Sequence, residues 1–245
     1  MTDISARRAA FDQIAYNIIS YLENFDEVSE LDFNSKEGAQ SHEFLIWERK
    51  NPPFKLSSDF KSFYSLFNGF NLQWKVNIMG KKVIVGDIHL NSLDLIQRQS
   101  SEGHSVMCET NSIYQPFHPQ LCTVFALHAM GEYGQVMLVY RTERTNEISS
   151  SASPSPSPST HSSTADPEIW FLDMSSRWHY LCPKFTHYLR ILILHMGIIG
   201  WELAYTPEGL PDTSQQWMRL FCKERLCIDI HWLNTRKISG SNPSK

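Results

Sequence analysis

The feature that most constrains this chain is a change of period within one short stretch, Phe60 to Ile78. Phe60, Phe63, Tyr64 and Phe67 recur at i, i+3, i+4 and i+7, which gives a helix one aromatic face. Ser57 is positioned to cap that helix, and Asp59 falls in the first turn, where the dipole favours an acid. Asn68-Gly69 reads as its stop signal. Phe70, Leu72, Trp74, Val76 and Ile78 then alternate with Asn71, Gln73, Lys75 and Asn77, the pattern of a half-buried strand. Upstream, Trp47 and the prolines Pro52 and Pro53 read as the entry to the helix. Downstream, Met79 to Lys82 predicts a turn and Val83 to Val85 a returning strand. The whole stretch is scaffold and carries no chemical motif.

The rest of the chain adds helices and strands of both kinds. Residues Ile4 to Phe25 predict an amphipathic, core-packing helix, and Asp26 to His42 a loop or marginal edge strand. Leu90 to Ile96 reads equally as a short helix or an extended piece, and Gln97 to Pro119 as loop. Leu121 to Leu127 and Gln135 to Tyr140 are apolar on both faces, as strands covered on both sides must be. Glu168 to Asp173 predicts a partner strand for the second of these, and Arg177 to Leu181 another short strand. Between them, residues 145–166 are low-complexity Ser and Pro, which cannot bury enough surface to offset chain entropy. A disordered insert is expected there. Pro183 to Met196 predicts a nearly buried helix, stopped by Gly197. Asp212 to Ser214 can start a helix carrying Trp217, Leu220 and Phe221. Leu226, Ile228, Ile230 and Trp232 alternate with Cys227, Asp229 and His231, which predicts an extended segment. The expected organisation is one domain over 1–205, with the insert, and a C-terminal segment over 206–245.

Composition narrows the function classes. The 245 residues are 42% hydrophobic and 20% charged with a net charge of -4, so no global field favours nucleic acid. No apolar run is long enough to span a bilayer, and there is no N-terminal secretory h-region. Five cysteines, an odd count, argue against a disulfide framework and for a reducing, cytoplasmic setting. Neither a P-loop nor a dinucleotide fingerprint occurs, and no serine-hydrolase elbow. Cys222, Cys227 and His231 lack a convincing fourth metal ligand. Asp87, Asp94 and Asp173 lie near predicted turns and read as turn formers. No catalytic, cofactor or metal residues are expected.

One surface signal remains. From Arg219 onward six basic residues face two acidic ones, and Trp201, Trp217 and Trp232 fall outside the predicted main sheet. Trp and Arg are enriched at interface anchors, so Trp201, Trp217, Arg219, Lys223 and Arg225 form the candidate partner-binding set.

Three stretches carry a family resemblance: WERKNPPFKLSSDFKSFYSLFNGFNLQWKV (Trp47 to Val76), EIWFLDMSSRWHYLCPKFTHYLRILILHMGIIGWELAYT (Glu168 to Thr206) and SQQWMRLF (Ser214 to Phe221). They resemble the tubulin polyglutamylase complex subunit 2 family. The first two also resemble the wider SUKH superfamily, through Trp47, Pro53, Asn68-Gly69 and the Phe185 to Leu189 helix. The resemblance implies an α+β fold, with a central, mostly antiparallel sheet flanked by helices. It implies a noncatalytic scaffold subunit without cofactor, in a complex whose separate tubulin-tyrosine-ligase-like subunit holds ATP and magnesium. It also implies tubulin or microtubules as partners, and a place at the cytoskeleton, centrosome, centriolar satellites or basal body. The alternative is a SUKH-type binding module with an unrelated partner.

Overall fold

The computed structural model describes residues 9, 12–13, 16–99, 122–128, 131–141 and 166–240, with side chains as far as residue 235. The expected insert at 145–166 lies outside the described residues except for Asp166, as do Ile4, Phe11 and Ile14 of the first helix. Residues 16–22 form helix α1. Strand β1 (Val28–Glu37) and helices α2 (Ser41–Lys50) and α3 (Ser58–Tyr64) follow. Strands β2 (Phe67–Ile78) and β3 (Lys81–Leu90) come next, then a 3-10 turn over Leu93–Leu95 and β4 (Arg98–Gln99). Strands β5 (Cys122–Ala126), β6 (Gly134–Arg141), β7 (Glu168–Asp173) and β8 (Trp178–Cys182) lead into α4 (Phe185–Leu194). A 3-10 turn over Trp201–Tyr205 precedes α5 (Asp212–Phe221) and α6 (Lys223–Gly240).

The fold is α+β, as expected, but the strands divide into two antiparallel sheets, β1-β2-β3 and β4-β5-β6-β7-β8. In β2 the residues Phe70, Leu72, Trp74 and Val76 point inward, as their alternation demands. The β2–β3 turn is Met79-Gly80, both with positive φ (49° and 81°), the twist that a two-residue hairpin needs. Strands β5, β6 and β7 are buried on both faces. The largest apolar cluster joins the sheets: Trp47 meets Phe125 at 4.9 Å, and Phe60 and Phe63 meet Phe185 at 4.9 and 5.4 Å. A second cluster lies beneath α5 and α6, where Met218, Phe221 and Leu226 cover Trp74, Val76 and Val85.

Four sequence expectations are corrected. Trp47 sits in a helix, not in a Pro-led entry. Gln40 and Glu43 close a capping box on α2, and its inner face is Phe44, Trp47 and Glu48. Asn68-Gly69 does not stop α3, which ends at Tyr64. The pair lies inside β2, where Asn68 Oδ1 accepts the Leu93 N–H at 2.7 Å, and Gly69 (φ 97°) passes so close to Ser92 that a Cβ would stand 3.0 Å from its backbone nitrogen. Helix α4 begins at Phe185, after Pro183, and leaves Leu194 exposed. Leu226 to Trp232 is helical rather than extended. Its inner face is Leu226 and Asp229, and Ile228 and Ile230 face solvent.

One splice fixes the hairpin to the C-terminal half. Gly86 stands opposite Trp74, and a Cβ there would lie 1.8 Å from the indole nitrogen. The indole N–H donates to Met196 O at 2.9 Å, and the 197–199 turn runs along β3, with Asp87 N–H to Gly197 O at 2.8 Å and Ile199 N–H to Val85 O at 3.0 Å. Segments far apart in sequence are thereby held in register.

Candidate functional site

The sequence-predicted partner set divides between surface and interior. Trp201 is 1% exposed, stacked on His195 at 4.6 Å, and belongs to the core. It is therefore not a docking residue. Arg225 is not free either. It pairs with Asp229, donates to Tyr205 Oη at 3.1 Å, and lies 3.2 Å from His195 Nε2. His195 Nε2 is in turn 2.9 Å from Asp229 Oδ2, and both residues are fully enclosed. This cluster pins α6 to the end of α4 and the Trp201–Tyr205 turn.

Trp217, Arg219 and Lys223 remain at the surface. Helix α5 turns Met218 and Phe221 into the core and leaves Trp217 half-buried beside Leu220, which is 61% exposed. Phe221 is wedged between Trp74 (4.7 Å, edge-on) and Phe25 (4.9 Å), and its carbonyl accepts the Tyr21 hydroxyl at 3.0 Å. Facing α5 across a groove of about 550 Å³ are Val76, Ile78 and the fully exposed Met79 of the hairpin tip. Arg219 and Lys223 are exposed, with no ion pair among the described residues, but neither lines the groove, whose one charged lining residue is Glu27. The hairpin side went unread in the sequence. Its one signal was an Ile-Met pair at a turn, where polar residues are usual.

Among the described residues no group of three or more His, Cys, Asp or Glu is placed to hold a metal. Asp173 is a turn former, as expected: its Oδ1 accepts the Ser175 and Arg177 N–H groups at 2.8 and 2.9 Å. Asp87 is not. It lies within β3, on the face turned toward a second cleft.

The groove is thus lined mainly by apolar side chains, with Glu27, Asn77 and Gln216 as its polar members. Comparison with curated proteins gives that surface a context. The chain is 28% identical to tubulin polyglutamylase complex subunit 2 of Homo sapiens, over 86% of its own length and 69% of the human chain. The Rattus norvegicus and Mus musculus proteins of the same name are 27% and 26% identical, each over 86% of this chain and 71% of theirs. The chain is a relative of tubulin polyglutamylase complex subunit 2. No family model matches it, and no solved structure matches it. The shared span is too long to rest on the three quoted stretches alone.

Proposed function

We propose that this chain is a noncatalytic scaffold subunit of a tubulin polyglutamylase complex, supporting glutamate addition to tubulin by a separate ligase subunit. The observation that carries the reading is the extent of the similarity to proteins of that name, 86% of the chain. The part assigned to the α5–hairpin groove is docking of another subunit. An acidic tubulin tail has little apolar surface to bury against Met79, Trp217 and Leu220, and interface energy concentrates on such aromatic and aliphatic anchors. Arg219 and Lys223, exposed on α5 and at the start of α6, steer encounter, since charges outside the buried contact act on association rate more than on affinity. No helix among the described residues is long and apolar enough to cross a membrane. The expected place is the cytoplasmic cytoskeleton, at centrosomes, centriolar satellites or basal bodies.

The test is co-expression with the other subunits, followed by affinity capture and glutamate incorporation into tubulin. Trp217→Ala combined with Leu220→Asp is expected to reduce co-purification of the ligase subunit at least tenfold, about the loss of one anchor. Arg219→Ala with Lys223→Ala is expected to slow association and flatten its salt dependence. Undiminished assembly in the first variant removes the groove from the interface. Glutamate transfer by the isolated chain overturns the noncatalytic reading.

A further inference from the structure

The outer edge of the three-stranded sheet is a surface of a different kind. The sequence reads Asp26 to His42 as a loop or marginal edge strand, whereas Val28–Glu37 form a strand of ten residues. Strand β1 pairs with β2 on one side, and residues 30–37 make no backbone bond on the other side among the described residues. The other sheet edges are short or occupied. Strand β4 has two residues, β8 has five, and the 197–199 turn runs along the middle of β3. A row of free N–H and C=O groups is a template for another strand.

Bulges and charged side chains usually blunt such an edge. Here both devices are displaced from its middle. The register shifts lie at the ends, between Val28 and Glu30 and between Ser35 and Glu37, so residues 30–35 keep an unbroken ladder with β2. That run is about 20 Å long, the length of a common strand. Lys36 is drawn to the segment after β3, where its Nζ donates to Ser92 Oγ at 3.1 Å. Glu30 is held over the sheet by Lys75 and Lys82, at 2.7 and 2.5 Å. Asp32 is exposed and has no ion pair among the described residues.

The two faces of this run differ, because side chains alternate along a strand. Glu30, Asp32 and Asn34 stand opposite Lys75, Gln73 and Asn71 and share the polar face. Leu31 and Phe33 stand opposite Trp74 and Leu72 on the apolar face, where Phe33 is 41% exposed and edge-on to Phe70 at 5.4 Å. A strand laid against β1 sets every second side chain beside the acids and the others beside Leu31 and Phe33. From Glu23 to Glu37 six acids accompany one base, Lys36, so the field along this edge favours a cation. A second copy of β1 would bring acid against acid on the polar face, which disfavours self-pairing. We propose that β1 takes up an extended segment of a partner polypeptide by strand addition, a segment whose basic residues alternate with apolar ones. Its basic side chains lie beside Glu30 and Asp32, and its apolar ones cover Phe33.

Strand addition draws affinity from the main chain and selectivity from alternate side chains. One opposite-charge pair across such a ladder changes affinity by no more than about fivefold, so the main-chain bonds carry most of the binding. The alternation also fixes register. A slip of one residue would set the bases beside Phe33 and the apolar side chains beside the acids. The inference stands on the sheet edge and does not depend on the α5–hairpin groove.

The experiment is an NMR titration of the full chain with acetyl-Lys-Val-Lys-Val-Lys-Val-amide at millimolar concentration. The amides of β1 should shift, and alternate ones among residues 30–35 should become protected from hydrogen exchange. The peptide with Glu in place of Lys should not bind. Two further lysine peptides, N-methylated at odd or at even positions, separate strand addition from charge attraction. Only one row of their N–H groups can face β1, so one of the two should bind at least tenfold more weakly than the other. Asp32→Lys should weaken the lysine peptide at least fivefold. No shift in β1 with the lysine peptide, equal binding of the glutamate peptide, or equal binding of the two N-methylated peptides overturns the proposal. So does a concentration-dependent dimer in which the β1 amides are protected. Asp32 is exposed, and should its variant misfold, the N-methylated pair still tests the unaltered chain.

Discussion

At the scale of single residues, two buried acids explain much of how this chain is held together. Asp229 is 2% exposed and lies between His195 and Arg225. Glu48 is enclosed by α2 and pairs with Lys55 and Lys61 at 3.1 and 2.6 Å, while the Leu56 N–H donates to it at 3.2 Å. Burial pushes the Glu48 carboxyl up, but the lysines and the backbone donor outweigh it and hold it below its ordinary value. Removing one member of such a set leaves the others buried without compensation. Asp229→Ala should therefore cost about 3 kcal/mol, measured by urea denaturation, and more than the loss of an exposed acid such as Glu224. A change below about 1 kcal/mol would mean that water already compensates Arg225 and His195.

At the scale of elements, the same two acids decide what could be read from the sequence. Where every inward position is apolar, the period gave the right element: β2, β5, β6 and β7 appear as their spacing requires, and α3 forms but ends at Tyr64, short of the Phe67 that its period included. Where an inward position is charged, the period was broken. Glu48 hid the face of α2, and Asp229 hid that of α6, so that Leu226, Ile228, Ile230 and Trp232 passed for one side of a strand. The two geometries make opposite mutational forecasts. On a helix, Leu226→Ala should cost about 2–4 kcal/mol, and Ile228→Ala, on the solvent side, less than about 1 kcal/mol. On a strand the two would be comparable. Paired denaturation midpoints separate them. The surface position of part of the candidate set was legible for the same reason. Arg219 and Lys223 stand outside any core period and Trp217 at the edge of one, half-buried against the second cluster, whereas Arg225 and Trp201 are drawn inward by an acid and a histidine that composition alone cannot place.

At the scale of the whole molecule, the second apolar cluster is assembled from distant pieces: α1 and the β2–β3 hairpin on one side, α5 and α6 on the other. A chain cut after Leu210 should leave Trp74, Val76 and Val85 without their cover. It should bind a hydrophobic dye and lose cooperative unfolding, while the Phe60–Phe185 cluster keeps its aromatic circular-dichroism signal. Full retention of cooperative unfolding would show that α5 and α6 are accessory to the domain. The groove has the same divided origin, with one wall from residues before 80 and the other from residues after 215. During synthesis, neither wall alone offers a partner anything to grip. The slot therefore exists only once synthesis has passed Phe221, so recruitment through it would pass over copies terminated before that point.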